Sequence, residues 1–285
     1  MPISPDSRVH TRVCTRPVIC HNVASPPLRT QMTPATLVLV VPCSNEASRL
    51  DKLAFLDFLA SHPAITFVFV DDGSVDGTPG ILRQMEEAAG GRITVLRLER
   101  NRGKAEAVRT GIIEAFNRRP DLVGFWDADL STPLAALDDF LQVASRRPDV
   151  ELVLGSRVLL MGRDIRRTAW RHYVGRVFAT GASLALDLPV YDTQCGAKVF
   201  RANETVERLF QQPFRSAWIF DVELLARYLT VPVEDGGPPR RARIYELALP
   251  AWHEVPGSKL RISDYFRSMV DLVGIWRGRR ARRAA

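Results

Sequence analysis

Five runs of nearly unbroken apolar residues recur along the first half of the chain: 37–41 (LVLVV), 65–70 (ITFVFV), 93–98 (ITVLRL), 122–126 (LVGFW) and 150–154 (VELVL). Runs of this kind, rich in Val, Ile and Phe, are expected of strands buried on both faces, as in a parallel sheet. Between them the apolar period lengthens to that of a helix. Residues 46–60 follow the capping residues Ser44 and Asn45, and residues 79–89 open on Pro79. Residues 104–118 gather Ala105, Val108, Ile112, Ala115 and Phe116 on one face, and residues 133–147 open on Pro133 after Ser131 and Thr132. The alternation predicts an α/β fold: a doubly wound, mostly parallel sheet flanked by helices, with right-handed crossovers. Such sheets take their ligands at the carboxyl ends of the strands.

After Gly155 the alternation stops. A long helix is expected over 165–186, another from near Phe220, a strand over 243–250, and a loop from Glu234 to Arg240. Near the end, Ile262, Tyr265, Phe266, Met269, Val270, Val273 and Trp276 fall along one side of a helix, and an Arg-rich run follows from Arg277 to Arg283. That is an amphipathic helix with a basic end. The reading is therefore an N-terminal extension over 1–34, a main domain over 35–260 and a basic amphipathic helix and tail over 261–285. The extension is rich in Pro, Ser, Thr and Arg, has no apolar period and is expected to be disordered. It is poor in acids, as transit peptides are, but lacks the apolar stretch of a secretory signal. Translation starting at Met32 is the alternative.

Charge sharpens this picture. Among 285 residues, 39 are Lys or Arg and 32 are Asp or Glu, a formal net of +7, with 46% apolar residues. Those proportions exclude a disordered, collagenous or coiled-coil chain. Four Arg face only Asp6 in residues 1–31, and seven Arg face only Asp264 and Asp271 in 261–285. The positive excess thus lies at the ends, where a nucleic-acid binder would carry it on the folded domain. An anionic surface at the C-terminus or a solvated basic tail both fit. The four cysteines, Cys14, Cys20, Cys43 and Cys195, have no metal-binding spacing and are too few for a disulfide framework, so a reduced, cytosolic setting is expected. The longest charge-free run, 177–186, is half a membrane span.

Each early strand ends in a polar cluster. The first gives Pro42, Cys43, Ser44, Asn45 and Glu46; the second, Asp71, Asp72, Gly73 and Ser74; the third leads to Asn101, Arg102, Gly103 and Lys104; the fourth ends Asp127, Ala128, Asp129. A parallel sheet brings all four to one edge. Asp127 and Asp129, two apart beyond a buried strand, can hold Mg²⁺ or Mn²⁺ through oxygen, the metal completing its shell with water and phosphate. It would then neutralise a leaving diphosphate. The same spacing also occurs in turns and caps. Neither a G-x-x-x-x-G-K-[ST] loop nor a G-x-G-x-x-G fingerprint is present.

Taken together, V-P-C-S-N-E (41–46), V-D-D-G-S-V-D-G-T (70–78), N-R-G-K-x-x-A-V-R-x-G (101–111) and D-A-D-L-S-T (127–132) resemble the family 2 glycosyltransferases of GT-A fold. G-S-R (155–157), D-T-Q-C-G-x-K-x-F (192–200), W-I-F-D-V-E-L-L (218–225) and W-H-E-V-P-G-S-K-L (252–260) resemble the dolichyl-phosphate β-glucosyltransferase branch, close to polyprenyl-phosphate mannose synthases. The resemblance spans residues 37–276. It implies an inverting transferase moving a hexose in one displacement from a nucleotide sugar, UDP-glucose ahead of GDP-mannose, to a polyprenyl or dolichyl phosphate. It implies that Pro42, Ser44, Glu46 and Asp72 hold the base and ribose, and that Lys104 and Ala128 lie at the donor. Asp127 and Asp129 would hold Mg²⁺ or Mn²⁺ and the diphosphate, and Arg157 would face the acceptor phosphate.

The acceptor side can also be read from the residues. Arg167 and Arg171 are i, i+4 on the expected long helix and share a face; with Arg157 they make a phosphate clamp or else a solvated basic face. A lipid monophosphate, with a second pKa of about 6, is already a nucleophile at neutral pH. A hydroxyl acceptor would instead need a carboxylate base, with Asp221 first and Glu223 second, unless either caps the helix. Lys198 and Lys259 lie in segments expected to be loops and can reach phosphate or a surface carboxylate. His253 and Cys195, with no triad partners in view, are expected to be structural. Eukaryotic members of the glucosyl branch usually carry an N-terminal membrane helix, which these residues do not contain. Lipid access is then expected to rest on 176–190 and the C-terminal helix, with the protein peripheral at the cytosolic face of a membrane. The alternatives are a soluble transferase acting on a small phosphorylated or hydroxylated acceptor, and an inactive nucleotide-sugar-binding protein.

Overall fold

A computed structural model describes residues 35–234, 236–256 and 262–284; within these, the side chains of 169, 171, 262–266 and 280–284 are not described. The expectations for 1–34, for the side chain of Arg171 and for Lys259 lie outside the described residues.

The first half alternates as expected: β1 (Leu37–Cys43), α1 (Lys52–Ser61), β2 (Ile65–Asp71), α2 (Thr78–Ala88), β3 (Ile93–Arg97), α3 (Lys104–Asn117), β4 (Leu122–Trp126), α4 (Leu137–Arg146) and β5 (Leu152–Ser156). The second half runs β6 (Asp164–Arg166), α5 (Ala169–Leu186), β7 (Ala197–Arg201), α6 (Glu204–Gln211), α7 (Phe220–Thr230), β8 (Ile244–Ala248), β9 (Ala251–His253) and α8 (Ile262–Ala284). The main sheet has the order β3-β2-β1-β4-β7-β5-β8, and β6 pairs with β9 in a small second sheet. All main-sheet pairings are parallel except those of β7, which lies antiparallel between β4 and β5.

Successive residues of β1 show why these runs are apolar on both faces. Val38 and Val40 join the core under α3, α5, α6 and α7, while Leu37, Leu39 and Val41 join the core under α1, α2 and α4. Helix α3 lies so close to the sheet that a Cβ on Gly111 would come 2.3 Å from Val40 Cγ1. Only glycine admits that approach.

Three expectations are corrected. Helix α1 begins at Lys52, capped by the Asp51 side chain on the Ala54 N–H, because residues 46–50 are used in a turn closed by Leu50 N–H to Glu46 O. The long helix begins at Ala169, not at 165, because 164–166 pair as β6 with β9. Arg167 therefore precedes α5, and the i, i+4 argument linking it to Arg171 does not apply. Lys198 is in no loop: it sits wholly buried in β7.

Helix α8 packs along α5 and α7. Leu272 lies against Gly181, Arg279 Nη1 donates to Ala185 O, and Asp271 accepts a 2.6 Å hydrogen bond from Ser216. Met269, Val270, Val273 and Trp276, part of the expected apolar side, face outward. Among the described residues no helix is long and apolar enough to cross a membrane.

Candidate active site

The strand ends converge on one cavity of about 740 Å³, within the range of small-molecule sites. Pro42, Ser44, Glu46, Asp72, Lys104, Asp127, Ala128, Asp129, Arg157, Arg167 and Asp221 all line it. The loops are cross-braced. Asn45 donates its N–H to Ser74 Oγ and accepts from Val75, and Asn101 donates to Ser44 Oγ. Both oxygens of Asp72 accept backbone N–H groups, from Arg102 and Gly103, so this carboxylate braces the start of α3. Asn45 and Leu130, each in the left-handed region, fall on these pocket loops, where such conformations are held by their surroundings.

The acid pair is held by cations. Lys104 Nζ lies 2.5 Å from Asp127 Oδ1. Arg49 bridges Glu46, at 2.6 Å, and Asp129, at 3.7 Å. The other Asp129 oxygen accepts the Ser131 N–H. Gly196 passes so close that a Cβ there would lie 1.8 Å from Asp127 Oδ2. Burial raises the Asp127 pKa, but the Lys104 charge and hydrogen bond overcome it and hold the carboxyl below its usual range. Lys104 is shifted upward: burial lowers it, but the Asp127 and Asp221 charges outweigh that and hold it above its usual value.

Elsewhere on the cavity wall, Arg157 forms a two-pronged pair with Asp192, 2.6 and 2.8 Å, and stacks 5.2 Å from the Trp252 ring. Arg157 was expected to face a phosphate, and it does line the pocket, but one edge of its guanidinium is already committed. Arg176 lies 3.5 Å over the Tyr191 ring and donates to Tyr191 O. Arg167 packs where a side chain on Gly175 would go. Glu254 fixes the start of α5 by accepting from Thr168.

Below the pocket floor, Lys198 Nζ lies 2.6 Å from Asp221 Oδ1 and donates to Cys195 O. Burial raises Asp221, the neighbouring lysines only partly offset it, and the carboxyl stays above its usual range. Asp221 stands in the first turn of α7 without capping it. Glu223 turns away to Arg215, Ser216 and Arg227, so of the two only Asp221 reaches the cavity. Burial pushes the Cys195 thiol up to about 11, which fits a structural role. His253 pairs with Asp164. Sequence reasoning gave no site role to Arg49, Asp192 or Trp252; Asp192 and Trp252 open the motifs at 192–200 and 252–260, and Arg49 lies three residues from Glu46.

Asp127 and Asp129 present hard carboxylate oxygens to one cavity and suit Mg²⁺ or Mn²⁺. Among the described residues no cluster of three or more Asp, Glu, His or Cys surrounds a common point. Phosphate oxygens or water would have to supply the remaining ligands.

A family model described as glycosyl transferase family 2 matches residues 38–204. The dolichyl-phosphate beta-glucosyltransferase of Drosophila melanogaster is 33% identical over 257 residues, covering 84% of this chain and 74% of that protein. The Homo sapiens protein of the same name is 31% identical over 243 residues, 79% of this chain and 69% of the relative. Among solved structures, glucosyl-3-phosphoglycerate synthase from Mycobacterium tuberculosis, in complex with Mn²⁺, UDP and glucosyl-3-phosphoglycerate, superposes with a TM-score of 0.60 at 17% identity, covering 86% of this chain and 80% of that one. A mannosyltransferase from Pyrobaculum calidifontis, in complex with GDP-Man and Mn²⁺, gives 0.54 at 18% identity, covering 84% and 65%. These structures share the GT-A architecture of a mostly parallel sheet flanked by helices. On the family match and the identity to its curated relatives, the chain belongs to glycosyl transferase family 2 and is a glycosyltransferase.

Proposed function

We propose that the enzyme transfers glucose from UDP-glucose to a polyprenyl phosphate, with inversion. One observation carries the reading: the acid pair opens into a cavity walled by α5, a helix whose opposite face is apolar and exposed. His172, Gly175, Arg176, Phe178 and Ala179 line the cavity, while Trp170, Tyr173, Val174, Val177 and Leu184 face outward. Leu159, Leu160 and Met161, in the turn before β6, and the outward side of α8 add to the exposed apolar surface. An acceptor with an anionic head and an apolar tail suits a wall of this kind. The dolichyl-phosphate glucosyltransferase names of the relatives point the same way.

In the reaction, a phosphate oxygen of the acceptor attacks the anomeric carbon as its bond to the β-phosphate oxygen of the donor breaks, and UDP departs. Pro42, Ser44, Glu46 and Asp72 line the base and ribose end. Asp127 and Asp129 would hold Mg²⁺ or Mn²⁺, which when bound supplies charge neutralisation of the diphosphate. Lys104 adds a fixed positive charge there. Arg157, Arg167 and Arg176 orient the acceptor head, and Lys259, in the 252–260 motif, is assigned to the same task. Because the acceptor is ionised, positioning and charge compensation suffice, and no strong base is required. The reaction takes place at the cytosolic face of a membrane to which the protein is peripherally bound.

The test is a screen of nucleotide sugars with Mg²⁺ or Mn²⁺, with and without polyprenyl phosphate. Turnover of UDP-glucose only with the lipid is the expected result; equal turnover with a small phosphorylated acceptor would overturn the lipid assignment. Asp127→Asn with Asp129→Asn is expected to abolish turnover, and normal turnover would remove the metal role. Flotation on anionic vesicles is expected, weakened by Val177→Asp or Val270→Asp.

A further inference from the structure

Arg49 occupies an unusual position. Its guanidinium reaches Glu46, on the base side of the cavity, and Asp129, on the metal side, at 2.6 and 3.7 Å. Its side chain is only 15% exposed, so it is held between the β1 and β4 loops and does not sweep through solvent. Lys104 makes the matching contact to Asp127 from α3. Each acid of the pair therefore has a protein cation beside it. Among the described residues the pair also lacks a third acidic, His or Cys ligand.

Asp129 Oδ1 already accepts the Ser131 N–H and Arg49 faces Oδ2, so a divalent cation taking Oδ2 would meet the guanidinium there and the two positive charges would repel. A diphosphate entering the cavity, which Arg49 also lines, offers Arg49 a stronger, two-pronged partner than Asp129 does. Arg49 can turn toward it while keeping Glu46, since the guanidinium has five donors.

We propose that Arg49 is a coupling residue: it covers Asp129 in the donor-free enzyme and releases it to a divalent cation when a nucleoside diphosphate binds. This rests on the donor site proposed above. By linkage, the factor by which UDP tightens metal binding must equal the factor by which metal tightens UDP binding.

The experiment measures Mn²⁺ binding by electron paramagnetic resonance, with and without UDP, subtracting the UDP–Mn²⁺ complex from a protein-free titration. In the wild type, UDP should tighten Mn²⁺ binding about tenfold or more, in the usual range of coupling factors. In Arg49→Gln, Mn²⁺ alone should bind several-fold more tightly and the enhancement by UDP should fall to about a third or less. Arg49→Lys, which keeps the charge, should retain most of the enhancement. An Arg49→Gln enhancement equal to the wild type, in a variant with unchanged circular dichroism, would overturn the coupling and leave the donor site standing. Failure of UDP to bind the wild type with or without Mn²⁺ would overturn the donor site and the coupling together.

Discussion

Arg157 and Asp192 hold each other by three hydrogen bonds, two from the guanidinium and one from the Arg157 backbone N–H at 3.1 Å. Burial alone would raise the Asp192 pKa, but the Arg157 charge and hydrogen bonds win and keep it well below the usual carboxylate range. The pair ties the end of β5 to the segment before β7. Its remaining guanidinium edge is thereby presented in a fixed direction, which suits a two-pronged bond to a carboxylate or phosphate.

The stability from that pair has a defined pH dependence. A depressed carboxyl stabilises the fold above its unfolded value, near 3.9, and loses that contribution as pH falls toward the folded value. The stability gap between wild type and Asp192→Asn should therefore be widest at neutral pH and shrink below about pH 4. Thermal melts between pH 3 and 7 would show it, and a gap independent of pH would contradict the pairing.

Gly196 sets the position of Asp127. Any side chain there must displace the carboxylate, which a Cβ would meet at 1.8 Å. Misplacement of a catalytic group by about 1 Å can cost on the order of 100-fold in rate. Gly196→Ala should thus lose about that factor in kcat and bind Mn²⁺ with UDP more weakly. Wild-type kcat in a folded Gly196→Ala protein would show that the position of Asp127 is not critical.

Lys198 and Asp221 form a buried pair, the lysine fully enclosed. Removing one partner strands the other charge, at a cost of about 3–5 kcal/mol. Lys198→Met should lower unfolding stability by that order, and adding Asp221→Asn should restore part of it. Urea melts of the two singles and the double form the cycle; strict additivity would mean that the pair is not coupled.

The raised Asp221 pKa allows a test of its chemical role. Were Asp221 the base, kcat/KM would fall as pH drops through its raised value, and that limb would vanish in Asp221→Asn. A phosphate acceptor instead carries its own titration near pH 6. The expected profile for Asp221→Asn with polyprenyl phosphate keeps an acid limb near pH 6 at reduced amplitude. Disappearance of the limb would assign the proton transfer to Asp221.

Much of the fold was legible because β1, β2, β4 and β5 are buried on both faces, which leaves unbroken apolar runs such as Leu37–Val41. The inserted strand was not, since β7 reads A-K-V-F-R and the lysine at its second position masks the apolar pattern. Lys198 is tolerated there only because Asp221 and the Cys195 carbonyl, distant or unremarkable in sequence, meet it in space. The convergence of the β1, β2, β3 and β4 loops follows from parallel strands alone. The Arg157–Asp192 pair spans 35 positions and depends on how β7 is threaded, which no local period encodes. Arg167 was assigned to a helix because its neighbours are helix-compatible, whereas the pairing of 164–166 with 251–253 decides the start.

Helix α5 separates the cavity from the outside by one helix width, about 10 Å. Under the proposed reaction, a tail attached to a phosphate at Arg157 or Arg176 clears the protein after that short distance. Whatever lies further along the tail meets no part of the catalytic machinery. The enzyme should therefore read the head and first few carbons of its acceptor and be indifferent to total chain length, so that acceptors of quite different length share similar turnover once they are equally well dispersed.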